Sequence, residues 1–385
     1  MYHSHPGPPE PLAEFRITAA AMRYSTFVPR LYGLCRTLGM QEGRIMPSRA
    51  FCSDESQGYP IILIAKHFGA FPFNHGRAGG VISTDRHGPH AHHGQDMLIV
   101  HASHVGYDAE SATFGRYRRI RTAAQQSTEN CGKIHGVIDW YAREYQFAQR
   151  HVLIARGDRG PLVIIDNLLL QREREEGLFL RMPRLARVAA EGQPSYVQSL
   201  STARVFRMAD QLASRLHHVL PPSGTPIPIG KRLTSDLFYF RRRTDSDVEG
   251  RGHLEHNLSP YMPEIVTAPA PPLVAATINT QVEFDRAYRT LVQAPAYQGK
   301  RLLFISGLNI DISPTAERVF PLTEFVPWAA YWQDVDGRGE TWEQEQVLDR
   351  LLVQPTTNPL QVDLEAAILE MEGAEEVPIK LPGTR

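Results

Sequence analysis

Hydrophobic positions along this chain follow two periods. Residues 11 to 40 carry apolar positions at helical spacing, with a break expected before Pro29, and residues 1 to 10 form a proline-rich arm. Two apolar runs follow, "RIMPSRAFC" and "YPIILIAKHF". Both predict strands: the first ends at Cys52, and the second is continuous enough to be covered on both faces. "DMLIVH" predicts a third buried strand, ending at His101. From Cys131 the period lengthens. Ile134, Val137, Ile138, Tyr141, Tyr145 and Ala148 recur along one helix face, with Asn130 as N-cap and Cys131 at the helix start. Further strands are expected at "GPLVIID", "DLFYFRR", "LVAATI" and "KRLLFIS". A long amphipathic helix is expected over 195–219, with others near 281–293, 341–353 and 362–372.

Alternating strands and helices of this kind predict an α/β fold with a mostly parallel central sheet flanked by helices. In such sheets the functional site lies beyond the carboxyl ends of strands, where Cys52, His101 and His104 fall. The densest Pro/Gly break, "LPPSGTPIPIGK", divides the chain. The expected organisation is an arm over 1–30, a main domain over 31–220, and a region over 221–385 that completes the fold or forms a second domain. Residues 69 to 95, rich in glycine, read as an active loop region.

Composition narrows the function classes. The 385 residues hold 41 basic and 42 acidic side chains, so no basic excess points to nucleic acid. No apolar stretch is long enough to span a membrane, and the N-terminal segment lacks a signal-peptide pattern, which makes a cytoplasmic protein the expectation. Cysteine is limited to Cys35, Cys52 and Cys131, too few and too spread for a disulfide framework. Eight of the sixteen histidines gather between His67 and His104, in "HFGAFPFNHGRAGGVISTDRHGPHAHHGQDMLIVHASH".

Thiols and imidazoles together suit zinc, which takes four protein ligands in a structural site and three plus water in a catalytic one. Cys52, one histidine of the 101/104 pair and Cys131 make a Cys2His set drawn from separate elements, unlike a zinc ribbon. Cys131 at a helix start feels the positive end of the helix dipole, which favours thiolate. Asp54 can accept a proton or hydrogen bond from a metal-bound water. Plainer readings stand beside these. A lone cysteine is most often simple buried packing, a reading that stands equally beside the ligand reading for Cys52 alone, and Cys35 reads as core. "HGPHAHH" is a pattern also found in solvated loops. Asp54 can simply cap a helix starting near residue 56.

These motifs resemble the limiting-CO2-inducible protein B family, the theta carbonic anhydrases, relatives of the beta class. The beta class carries C-x-D-x-R, a glycine loop, and a strand ending in H-x-x-C. Here "CSDES" supplies Cys52 and Asp54, "GRAGG" the loop, and "DMLIVHASHVG" the histidine strand. The B-protein pattern itself is matched by "GPHAHHGQD", "ASHVGYD" and "NCGKIHG", which place His92–His93, His104 and Cys131 on its positions. The resemblance spans roughly residues 45–140. It implies a beta-carbonic-anhydrase-like fold, Zn2+ held by Cys52, His104 and Cys131, and Asp54 beside the open position. It also implies a homodimer and reversible hydration of CO2 to bicarbonate by a metal-bound hydroxide, in the setting of a carbon-concentrating mechanism. His92 and His93 are candidate proton shuttles.

Two departures matter. Ser56 replaces the beta-class arginine that orients the aspartate; Arg49, Arg77 or Arg86 are possible substitutes, and without one Asp54 could ligate the metal and close the site. The beta register would also make His101 the ligand, whereas the B-family register makes it His104. Two alternatives to an active enzyme follow: a catalytically silent zinc-binding family member that acts as a binding partner in a CO2-concentrating system, and a zinc hydrolase with a larger pocket.

Overall fold

The computed structural model describes residues 15–83, 96–119, 127–171, 174–189, 192–222, 225–243, 251–315, 317–318 and 320–374. Helix α1 (Tyr24–Thr37) precedes strand β1 (Ile45–Ala50), helix α2 (Gly58–Phe68) and the short strand β2 (Phe73–Asn74). Strand β3 (Asp96–Asp108) and helix α3 (Gly132–His151) follow. Strands β4 (Val152–Gly157), β5 (Gly160–Asp166), β6 (Tyr196–Ser199), β7 (Ala203–Arg207) and β8 (Ile227–Pro228) come next. Helix α4 (Arg251–Leu258) and the long α5 (Pro271–Leu291) lead into β9 (Leu302–Ile312), β10 (Leu322–Gln333) and β11 (Gly339–Glu343). Helices α6 (Gln344–Leu352) and α7 (Leu364–Gly373) end the described chain.

The fold is mixed α/β. Its central eight-stranded sheet runs β10–β9–β3–β1–β2, with the two-residue strand Met22–Arg23 and β11 both paired to β10 and the two-residue strand Thr113–Phe114 paired to β3. The β9, β3, β1 and β2 pairings are parallel, while β10 adds antiparallel to β9. Strands from both ends of the chain therefore build one sheet. Strand β3 lies at its centre with nearly every residue buried, as expected of a strand covered on both faces. Leu98, Val100 and Ala102 pack with Phe27 and Leu31 of α1, Ile64 of α2 and Val347 of α6. Met97 and Ile99, on the opposite face, pack with Ala287 and Leu291 of α5. A separate antiparallel sheet runs β6–β7–β5–β4–β8. Its core is continuous with α3 and α5.

Several expected elements differ. "YPIILIAKHF" is helix α2, not a strand. Pro60 sits in its first turn, where no intrahelical N–H is needed, and Gly69 closes it at φ 72°. Its buried residues Pro60, Ile64 and His67 recur at helical spacing while Ile62 is 49% exposed. "LVAATI" belongs to α5, which is buried along Leu273–Thr280 because the sheet covers one side and α3 and α4 cover the other. That all-round burial produces a run that mimics a strand. Residues 195–219 form β6, β7 and a short helix Asp210–Leu216, because pairing of β7 with β5 overrides the helical pattern. "GPLVIID" is a strand, but in the antiparallel sheet. His101 and His104 lie within β3, which continues to Asp108, and Cys131 itself takes the N-cap position of α3.

Candidate metal centre

Three chain segments converge behind the central sheet. Cys52 lies two residues past β1, His104 lies inside β3, and Cys131 opens α3. Ligand atoms of these three side chains all lie within 4.8 Å of one another, and all three residues are buried. Exposure is 4% for Cys52, 1% for Cys131 and 0% for His104. The two Sγ atoms are 3.8 Å apart, far beyond a disulfide bond, and both thiols are free. Two bonds of about 2.3 Å meeting at a tetrahedral metal would separate two sulfurs by about 3.8 Å. The spacing thus matches a shared cation. His104 completes the argument: its Nδ1 is bound to Asp311, and among the described residues its buried Nε2 makes no well-formed hydrogen bond. The trio can hold a metal ion.

Strand alternation separates the two candidate histidines. Side chains three apart on one strand point to opposite faces. His101 shares the α5 face: its Nδ1 meets Ser306 Oγ at 2.7 Å and its Nε2 meets the Gly80 carbonyl at 2.9 Å. Both ring nitrogens are used, and burial lowers its pKa, so it stays neutral. His104 takes the other face, where Asp311 Oδ2 accepts from Nδ1 at 2.8 Å. Asp311 comes from β9, two residues past Asn309, the strand partner of His104. Its carboxylate also accepts from Ser56 Oγ at 2.7 Å, Gln57 Nε2 at 2.8 Å and Thr323 Oγ1 at 3.3 Å. Gln57 accepts in turn from Asn309 Nδ2 at 2.7 Å, and Asn309 accepts from Tyr24 OH at 2.8 Å. This chain of buried donors fixes the imidazole tautomer with Nε2 toward the thiols.

Asp54 does cap a short helix: it is N-cap to the 3-10 turn Glu55–Gln57 and accepts from Ser56 N–H at 3.1 Å. The same Oδ1 accepts from Asn130 Nδ2 at 3.4 Å. Among the described residues no arginine pairs with Asp54; Arg119 binds Glu55 instead, and Arg86 lies outside the described residues. The orienting contacts come from a backbone amide and an asparagine. Burial works to raise the Asp54 pKa, but the charge of His104 and the Ser56 hydrogen bond outweigh it and hold the carboxylate below its usual range. The thiols titrate as a pair. The Cys131 hydrogen bond, opposed by burial and aided by His104 and the Gly79 amide, brings Cys52 down to about 4, while the same bond and burial push Cys131 up. Burial opposes protonation of His104, yet the Cys131 charge and Asp311 raise it well above its usual value.

His92 and His93 lie outside the described residues. Sequence reasoning missed Asp311 altogether, gave Asn130 only a helix-capping role, and took Gly79 only as part of the "GRAGG" loop. Gly79 donates its N–H to Cys52 Sγ at 3.1 Å. Its φ is 86°, and a Cβ at this position would lie 2.8 Å from the Leu254 side chain, so both conformation and space call for glycine. The "GRAGG" glycines marked that loop. Asp311 had no such signal, because it lies far along the chain in an ordinary strand.

Among solved structures, PtLCIB4, a homolog of the limiting CO2-inducible protein LCIB, is similar over 84% of this chain and 95% of its own, at 12% identity and a TM-score of 0.49. Limiting CO2-inducible protein LCIB is similar over 85% of this chain and 95% of its own, at 11% identity and a TM-score of 0.44. No protein-family model matches the chain, and no curated protein sequence matches it.

Proposed function

We propose that this protein is a zinc-dependent carbonic anhydrase that interconverts CO2 and bicarbonate, with Cys52, His104 and Cys131 as metal ligands. The observation that carries the reading is the buried trio, whose His104 Nε2 has no well-formed hydrogen bond among the described residues, set two residues from an ionised Asp54. Zinc bound there supplies Lewis acidity that makes a water nucleophilic near neutral pH, less strongly than with three imidazoles.

The chain's own residues do the rest. Asp311 holds His104 in the tautomer that offers Nε2. Asp54, kept ionised, accepts a hydrogen bond from the reacting water and orients it. Ser56 N–H and Asn130 hold that carboxylate in place of the beta-class arginine. Both thiols must be deprotonated to bind metal, so loading releases protons. The depth of the trio suits a substrate of three atoms rather than an ester or peptide. A cavity of about 850 Å3, lined by Leu169, Phe179, Tyr196 and Tyr239 among others, contains none of the trio. A homodimer in a cytoplasmic carbon-concentrating setting, with His92 and His93 as shuttles, belongs to the same reading. No helix among the described residues is long and apolar enough to cross a membrane.

One observation favours the silent alternative: among the described residues Asp54 has no arginine partner, and it makes a helix cap that any structural aspartate could make. Stopped-flow CO2 hydration by the zinc-loaded chain separates the two. Turnover that is saturable and abolished by metal removal supports the enzyme; background rates with full zinc content support the silent binding protein.

A further inference from the structure

The metal centre takes part of its geometry from a helix that supplies none of its ligands. The Gly79 amide that donates to Cys52 Sγ belongs to the loop between residues 76 and 82, and one stripe of α5 grips that loop. Asn279 Nδ2 donates to the Gly79 carbonyl at 3.2 Å and to Ser103 Oγ at 2.7 Å. One turn on, the buried Glu283 carboxylate accepts from Ile82 N–H at 2.7 Å. Arg286 donates to the Ile82 carbonyl and, at 2.6 Å, to Glu283. Positions 279, 283 and 286 follow helical spacing and so share one face. Asn257 of α4 ties the stripe together, donating to Asn279 Oδ1 at 2.9 Å and to Glu283 Oε1 at 2.7 Å. On the far side of the loop, His101 bonds the Gly80 carbonyl.

Asn279 and Glu283 are fully buried. Polar groups at such depth cost stability unless every partner is in place, so helix burial alone does not account for them. Their shared product is a loop held at both ends. We propose that Asn279 is a positioning residue for the metal centre: it anchors Gly79 by its carbonyl, so that the N–H on the other side of the same Cα stays aimed at Cys52 Sγ, and thereby sets how firmly that sulfur holds a thiophilic divalent cation. The second half rests on the metal reading above; the clamp itself does not.

The test compares the full chain with Asn279→Ala, and with Thr280→Val as control. Thr280 is also buried on α5 but bonds the Ala276 and Gly307 carbonyls rather than the loop. Hydrogen exchange over residues 76–83 is measured without metal. Titration with Co2+ then follows the sulfur-to-cobalt charge-transfer band. Asn279→Ala should speed loop exchange at least roughly tenfold, weaken Co2+ binding about ten- to a hundredfold and shift the band, the usual scale for losing an outer partner of a ligand. Thr280→Val should match wild type in all three. Unchanged loop exchange and binding in Asn279→Ala, or equal changes in Thr280→Val, would overturn the proposal. Should Asn279→Ala fail to fold, Asn279→Asp, similar in shape but without the amide donor, is read instead. A wild type that takes up no Co2+ sinks the metal reading, and loop exchange alone then decides the clamp.

Discussion

Asp311 Oδ2 lies 2.8 Å from His104 Nδ1, and this one hydrogen bond determines which imidazole nitrogen faces Cys52 and Cys131. The two residues are 207 positions apart in sequence, joined only because β9 lies parallel to β3. Asp311→Asn keeps the shape but removes the charge. It should weaken zinc binding by roughly 10- to 100-fold while the fold survives. Asp311→Ala leaves His104, Ser56 and Gln57 without their common acceptor and should cost about 3–5 kcal/mol, the range for breaking a buried charged pair. Chelator competition and denaturant titration check both.

The two histidines of β3 should separate cleanly. His104→Ala should release zinc. His101→Ala should retain the metal through dialysis, though less firmly held, and lower stability, because its ring bridges Ser306 and the Gly80 carbonyl. Metal analysis after dialysis reads the outcome. Loss of zinc in His101→Ala with retention in His104→Ala would restore the beta-class register.

Much of the candidate site was legible because side chains able to hold a metal carry their chemistry in residue type. Three cysteines in 385 residues left few choices, and Cys52 with Asp54 two residues on drew attention directly. The fold was legible where burial is one-sided, as in α3, and misread where it is not. Helices α2 and α5 carry apolar runs that periodicity alone cannot tell from buried strands. The parallel pairing of β9 with β3, which delivers Asp311, is a contact between distant segments with no local signature.

Asp54→Asn should leave zinc bound and reduce CO2 hydration by roughly 10²-fold or more, the scale of losing an acid–base group. Stopped-flow rates normalised to zinc content provide the check. Wild-type activity undiminished in Asp54→Asn would assign the proton chemistry to another residue.

Stability should fall as the solution is acidified below neutrality, with His67 as one cause. Burial, aided by Lys66, brings His67 down to about 4, and its buried Nδ1 has no hydrogen-bond partner among the described residues. An unfolded histidine titrates near 6.5, so between 6.5 and 4 the unfolded chain binds a proton that the folded chain refuses. The contribution is intact above about 6.5 and is lost as pH drops toward 4. Urea unfolding at several pH values should show this slope, and His67→Gln should flatten it.

The central claim is that Cys52, His104 and Cys131 hold one zinc and leave its fourth position to solvent. Zinc K-edge X-ray absorption on the stoichiometrically loaded chain tests this most directly, with Asp54→Ala measured alongside. The account predicts two sulfurs at about 2.3 Å and two nitrogen or oxygen neighbours at about 2.0–2.2 Å. It also predicts that Asp54→Ala leaves this shell and the zinc affinity unchanged. A shell with fewer than two sulfurs, or one that loses an oxygen together with affinity in Asp54→Ala, would contradict it.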